Sequence, residues 1–293
     1  MSMLKQTAII ITLLLLIPGQ AYCQARNISG DNGLRIKYKY YFKEDSTIRG
    51  HYVDSSMCLD INGNKAIFYS EKQFLIDSTL DIAPLPITVA VNPPEEFRGT
   101  KEHSRYFIDY KSLKYVKYDN ALMTHAKGHG TLEQPLWKVL DGTDTICGYP
   151  CSMAEARYLG RTWRIWYTSS IPVSAGPWLL WGAPGLILRA KDSRGLFVFH
   201  AIEAGIPASD RTDDLTRFSE NSYNLRTYRS IQKMEEVMTL VKRSYDEDMR
   251  LNGHPGGPLR ATKEDGSVEM IELEMKYIPL IPENYWEKKG RKH

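Results

Sequence analysis

The chain is poor in the residues that announce a reaction. Its 293 residues include only 4 cysteines and 7 histidines. The H-E-x-x-H, G-x-S-x-G, Walker and dinucleotide fingerprints are all missing, which excludes the enzyme classes those local motifs build and leaves only sites assembled from distant residues. No catalytic residue and no cofactor is therefore expected. Charge of one sign is scarce as well, since the net charge is +3 and Lys and Arg are scattered among Asp and Glu. A nucleic-acid partner needs a basic stripe, so none is expected. Past Ile17 no apolar run approaches the roughly 20 residues that carry a helix across a bilayer. Internal repeats and low-complexity segments are absent too.

What is present begins with a leader. Lys5, an apolar run from Ala8 to Ile17, the Pro18-Gly19 break and the sequence Ala21-Tyr22-Cys23 describe a secretory signal peptide over residues 1–23. Cleavage after Cys23 leaves Gln24 at the amino terminus. Lipidation of Cys23 is the competing processing, and the bulky Tyr22 before it argues against that route. The mature chain is then exported, to the periplasm or the outer membrane, without a transmembrane segment. Residues 24–293 give enough chain for a single β-rich domain.

Period-two patterning dominates that domain. "LRIKYKYYF" (34–42) sets Leu34, Ile36, Tyr38 and Tyr40 against Arg35, Lys37 and Lys39, one face for a core and one for water. "HYVDSSMCLDI" (51–61) and "KAIFYS" (65–70) flank Asn62-Gly63-Asn64 as a hairpin. "DINGN" (60–64) shares the start of a calcium loop but lacks its twelfth-position glutamate, so it reads as that hairpin's turn. Short strands follow at 104–110 and 114–119, and again in close succession from 136 to 204, while the proline-rich 82–103 stretch reads as an irregular excursion. One helix is expected over Thr227–Arg250, with Ile231, Met234, Met238, Val241 and Tyr245 on one face. The expected fold class is mainly β: an antiparallel, strongly curved sheet or half barrel with one long helix packed on it.

Two constellations offer chemistry. After removal of Cys23, Cys58, Cys147 and Cys151 remain, and Cys147 and Cys151 flank Gly148-Tyr149-Pro150 closely enough to form a disulfide across a hairpin. The spacing C-x-x-x-C between strands is not the C-x-x-C at a helix start that lowers a thiolate pKa. His125 and His129, near Met123, sit in a glycine-containing segment that reads as a loop, and two ligands do not make a metal site. No metal site is assigned.

The densest pattern is "GRTWRIWYTSSIPVSAGPWLLWGAPGLILRA" (160–190). With its lead-in "ICGYPCSMAEARYL", and with "KYIPLIPENYW" near the end of the sequence, it resembles the GLPGLI family of bacterial envelope proteins, strongly over about 135–205 and weakly elsewhere. Ala183 stands where the family's name has Leu, and Ile278-Pro279 where the family has Asn-Pro. The resemblance implies export in a diderm bacterium and names no activity.

Residue chemistry reads the same block as architecture. Pro172 and Pro177 forbid regular pairing, so the chain leaves the sheet after Ser169 and re-enters at Pro184-Gly185. Gly182, Pro184 and Gly185 are structural, and Trp178 and Trp181 supply hydrophobic mass. The competing reading is an aromatic cleft for a ligand, lined by Trp163, Trp166, Tyr167, Trp178 and Trp181, with Trp163 and Trp166 on opposite faces of one strand. The function expected from all this is a non-catalytic exported envelope protein binding a partner protein, a peptide or an apolar ligand. The alternative is a thiol-redox or metal-handling periplasmic protein using Cys147/Cys151 or His125/His129.

Overall fold

The computed structural model describes residues 33–43, 52–82, 102–121, 124–207, 209–222, 224–251, 259–262, 268–271 and 278–290. The leader with Cys23, most of the 82–103 excursion and Met123 lie outside them. No helix among the described residues is long and apolar enough to cross a membrane.

One 12-stranded sheet organises the chain, in the order β12-β6-β5-β4-β3-β2-β1-β11-β10-β9-β8-β7. Its first half comprises β1 (Leu34–Phe42), β2 (Val53–Asn62), β3 (Lys65–Ser70), β4 (Arg105–Asp109), β5 (Lys114–Ala121) and β6 (Thr124–Thr131). Its second half comprises β7 (Lys138–Ile146), β8 (Tyr149–Tyr158), β9 (Arg161–Thr168), β10 (Leu186–Asp192) and β11 (Phe197–Gly205). The short β12 (Arg226–Tyr228) adds beside β6 in parallel. All other pairings are antiparallel, as expected of strands joined by tight turns. The sheet is open, with β12 and β7 at its edges. A separate hairpin joins β13 (Leu259–Thr262) to β14 (Val268–Ile271).

Helices depart from expectation. Instead of one there are four among the described residues: α1 (Glu71–Ile82), α2 (Thr212–Glu220), α3 (Ile231–Leu251) and α4 (Glu283–Gly290). The expected start at Thr227 is corrected as well, because Thr227 pairs with Lys127 in β12 and the helix begins after Ser230, whose Oγ accepts the Lys233 amide at 3.2 Å. Periodicity marked the apolar face but could not see that a sheet edge captures its first residues. The additional short helices α1 and α2 serve the other face of the sheet. There Phe74 and Leu215 bury Cys58, Ile67 and Tyr69 in a satellite core.

The face carrying the main core is called inner here. β1 shows how it is made: Leu34, Ile36, Tyr38 and Tyr40 are buried while Arg35, Lys37 and Lys39 are half-buried on the other side. Two pieces of chain cover the inner face at opposite ends. The segment 169–185 between β9 and β10 lies over one end, burying Trp178, Leu179, Leu180 and Ala183. It bonds back to the strand it precedes, with Leu186 N donating to Ile171 O at 3.1 Å and Ile187 N to Ala175 O at 2.9 Å. Gly185 makes the re-entry possible: its φ is +146°, and a Cβ there would run into the Thr168 carbonyl and lie 3.0 Å from Ser169 Cα. At the other end α3 crosses β5 and β6, with Met234 packed where a Cβ on Gly128 would be.

Candidate functional site

A ladder of rings connects these two ends. Trp178 and Trp163 lie 5.7 Å apart by ring centroid, Trp163 and Phe199 6.2 Å, Phe199 and Tyr40 4.4 Å, and Tyr40 and Phe42 4.9 Å. Alternation dictates the path through Trp163, Phe199, Tyr40 and Phe42, each an inward position of its strand, and Trp178 joins them from the crossover. At the Phe42 end packing stops, and a cavity of about 50 Å³ remains between Tyr40, Phe42, Phe197, Tyr106 and the segment Ile278–Ile281. We call this place the mouth.

The remaining wall of the mouth is ionic. On β5, Tyr115, Lys117 and Asp119 share the inward parity, and Lys117 and Asp119 are each only 4% exposed. Helix α3 answers with Glu235 and Lys242, three and four residues from Met238 on the same side of the helix. Lys117 donates to Glu235 Oε1 at 2.9 Å and lies 3.1 Å from Asp119, while Lys242 reaches both Asp119 oxygens at 2.9 and 3.2 Å. Burial alone would raise the Asp119 carboxyl, but the two ammonium groups outweigh it and hold it well below the usual carboxylate range. Glu102, whose Oε1 accepts the Ser104 amide at 2.9 Å, faces the same cavity, and burial pushes its carboxyl up despite the pull of Lys242. His103, next in sequence, places Nδ1 3.0 Å from Gln73 Oε1, and burial lowers its imidazole to about 4.

The roof of the mouth is tied to the glycine-arginine pair that opens the dense pattern. Arg161, 7% exposed, donates to the carbonyls of Pro279 and Leu280, both at 2.7 Å, and its guanidinium stacks 4.4 Å over Phe197. Asp192 completes the anchor by accepting from Arg161 at 3.3 Å and from the Leu196 and Phe197 amides at 2.6 and 3.0 Å. Gly160, at φ +81°, lets Pro282 and Tyr285 pack where a Cβ would stand. Tyr285 then donates to Glu133 Oε1 at 2.7 Å.

The residues singled out by sequence fall in different places. Trp163 and Trp178 are 0% and 1% exposed. Trp181 and Tyr167 are buried too, and Trp181 Nε1 donates to Glu133 O at 2.9 Å. These four rings therefore build the wall of the inner face. Trp166 points to the outer face, half-exposed, beneath the Arg189 guanidinium at 5.1 Å. Gly182, at φ +80°, and Gly185 hold the backbone turns of the crossover, and Pro184 between them is exposed. Lys117, Asp119, Glu235, Lys242 and Arg161 were missed. Their signal was parity: Arg161 lies two residues from buried Leu159 and Trp163, Lys117 two from buried Tyr115, and Glu235 and Lys242 three or four residues from buried Met238.

The cysteine and histidine pairs are corrected. The β7–β8 turn is Cys147-Gly148, with φ +51° and +76°, a two-residue hairpin of the kind that needs positive φ at both central positions. Cys151 consequently pairs with Asp144, one side of the ladder away from Cys147, and no disulfide joins the two. Cys147 Sγ instead contacts Ala201 O at 3.4 Å. His125 and His129 lie in strand β6, not a loop. Four residues along a strand span about 13 Å, too far to share one metal ion. Among the described residues no cluster of three or more metal-ligating side chains occurs.

Comparison with known proteins adds little to this geometry. No curated protein matches the chain. Two solved structures, "Structure of PNGF-II in C2 space group" and "Structure of PNGF-II in P21 space group", are similar to it at 18% and 17% identity and TM-scores of 0.47 and 0.46. Each match covers 70% of this chain, which spans only about a third of those chains, 32% and 33%. A family model described as a protein of unknown function, Porph_ging, matches residues 160–189, the stretch from the Gly160-Arg161 anchor through the crossover to β10.

Proposed function

We propose that this chain is a non-catalytic exported envelope protein of the GLPGLI type whose sheet curls into a half barrel and binds a small, partly apolar ligand at its mouth. The observation that carries the reading is the contrast within one face: a ladder of packed rings ends in a cavity walled by aromatic side chains and buried charges. Clefts that combine apolar walls with a few convergent polar groups are where ligands bind.

Curling is supported by contacts across the sheet order. Twelve flat strands would spread over about 50 Å. Glu133, just beyond β6, nonetheless accepts from Trp181 of the β9–β10 crossover, and Trp181 lies 5.9 Å from Tyr110 at the end of β4.

The thiol and metal alternatives find less support. Burial pushes the Cys58 thiol up to about 12 and Cys151 up to about 11, the opposite of an activated nucleophile. Mass spectrometry of an organic extract from the natively purified chain tests the binding role. The expected result is a compound near one equivalent, lost from Leu280→Trp, which fills the mouth, and retained in Trp166→Ala on the outer face. Loss from Trp166→Ala with retention in Leu280→Trp would move the site to the outer face and contradict the proposal.

A further inference from the structure

The outer face is clothed on one half and charged on the other. Helices α1 and α2 bury the outward side chains of β2 and β3, while Lys138, Arg157, Arg164 and Lys191, which point outward from β7, β8, β9 and β10, are exposed. Register assembles there what the sequence scatters. One row of the ladder sets Lys138, Glu155, Arg164 and Lys191 side by side across the four strands, and the next sets Leu140, Met153, Trp166 and Arg189. Arg157, two residues beyond Glu155 on β8, faces the same way.

The acids of these rows are taken. Glu155 accepts from Arg164 at 3.0 Å, and Asp144 from Arg189 at 2.6 Å. Lys138, Arg157 and Lys191 have no ion-pair partner among the described residues, against a single unpaired carboxylate nearby, Asp141 in the irregular part of β7. Arg164 and Lys191 also stand directly opposite one another, and like charges opposed across a ladder are unfavourable. An anion laid over the pair turns that repulsion into attraction.

The margin of this field is apolar. Leu136 and Val139 at the β7 edge are 85% and 61% exposed, and half-buried Leu140, Met153 and Trp166 continue from them across the face. Contiguous exposed apolar surface rimmed by charge marks an interaction site. A soluble polyanion would engage the cations and leave Leu136 in water. A lipid surface engages both, because headgroups take the cations and apolar side chains enter the boundary between headgroups and acyl chains.

We infer that the outer face of β7–β10 docks on an anionic bilayer surface, with Lys138, Arg157 and Lys191 meeting anionic headgroups and Leu136 and Val139 entering the headgroup boundary. This surface lies on the opposite side of the sheet from the mouth and stands independently of the ligand reading.

Flotation of the purified chain with vesicles of phosphatidylcholine alone, and of phosphatidylcholine mixed equally with phosphatidylglycerol, tests the inference. Each Lys or Arg near an anionic surface is worth about a fivefold gain in partitioning. The mixed vesicles are therefore expected to bind at least about tenfold more tightly, and raised salt should erase the difference. Arg157→Glu combined with Lys191→Glu should weaken mixed-vesicle binding by about tenfold or more. Lys111→Glu combined with Lys114→Glu, an equal change of net charge at the β4–β5 connection, should leave it unchanged. Leu136→Ser should weaken it about tenfold, as withdrawal of a leucine from an apolar phase does. All of these positions are exposed, so the fold does not depend on them. Equal binding of both vesicles, equal loss in the two charge variants, or binding to neither overturns the inference. Binding of duplex DNA or dextran sulfate as tight as that of the mixed vesicles, with Leu136→Ser without effect, overturns it in favour of a soluble polyanion.

Discussion

The two ends of the inner face are built from the same alternation and reach opposite results. Under the crossover, Trp178, Leu179, Leu180, Leu186 and Leu188 fill the space without one charged side chain, and the re-entry at Gly185 leaves no room for a Cβ. Under α3, the inward positions of β5 carry Lys117 and Asp119, the rings stop short, and a cavity stays open. A protein that needed only stability would have filled both ends alike, because replacing a buried ion pair by packed hydrophobic residues is often neutral or stabilising. On the proposed reading, the crossover is scaffold and the mouth is the place where stability has been given up for binding.

Substitutions at the crossover should break the comparison most severely. Gly185→Val is expected to abolish folding or to cost several kcal/mol in urea melts, since the branched side chain meets the Thr168 carbonyl and cannot adopt φ +146° without strain. Trp178→Ala should cost about 3–5 kcal/mol, as truncation of a large core aromatic does; a variant as stable as the parent would make the crossover a surface element. At the mouth, Asp119→Asn removes a shared carboxylate from two lysines that are 5% and 18% exposed at the side chain and should cost about 3 kcal/mol. Here stability and binding should fall together, whereas crossover variants that still fold should bind normally.

Acid sharpens the contrast further. The unfolded chain protonates a histidine near 6.5 and the folded His103 only near 4, so stability is full above about pH 6.5 and falls as pH drops toward 4. His103→Gln should flatten that slope in melts recorded between pH 7 and pH 4, and an unchanged slope would place the acid sensitivity elsewhere. The smallest effect concerns the thiols. Cys58 and Cys151 should resist iodoacetamide at pH 7.5 until the chain is unfolded, and rapid labelling of Cys151 in the folded protein would revive the redox alternative.

Much of the sheet was legible from period two, because strands such as Leu34–Phe42 have one face buried and one wet. The crossover was legible because Pro172, Pro177 and Gly185 act locally. The mouth was not, for a physical reason: Lys117, Glu235 and Glu102 are distant in sequence, and charged residues are normally read as solvated. Only the parity of Lys117 and Asp119 with buried Tyr115, and the presence of Glu235 beside Met234 on the apolar side of α3, hinted at burial. The Cys147 turn escaped because positive φ at a non-glycine residue is decided by the hairpin's twist, not by the residue.

The division of the inner face into scaffold and site is tested most directly by a crystal structure of the natively purified chain at a resolution that shows ordered small molecules. The account predicts non-protein density in the mouth between Phe42, Phe197 and Glu235, with Trp163 and Trp178 packed as described. Density at Trp166 on the outer face with a mouth collapsed onto its own side chains would contradict it.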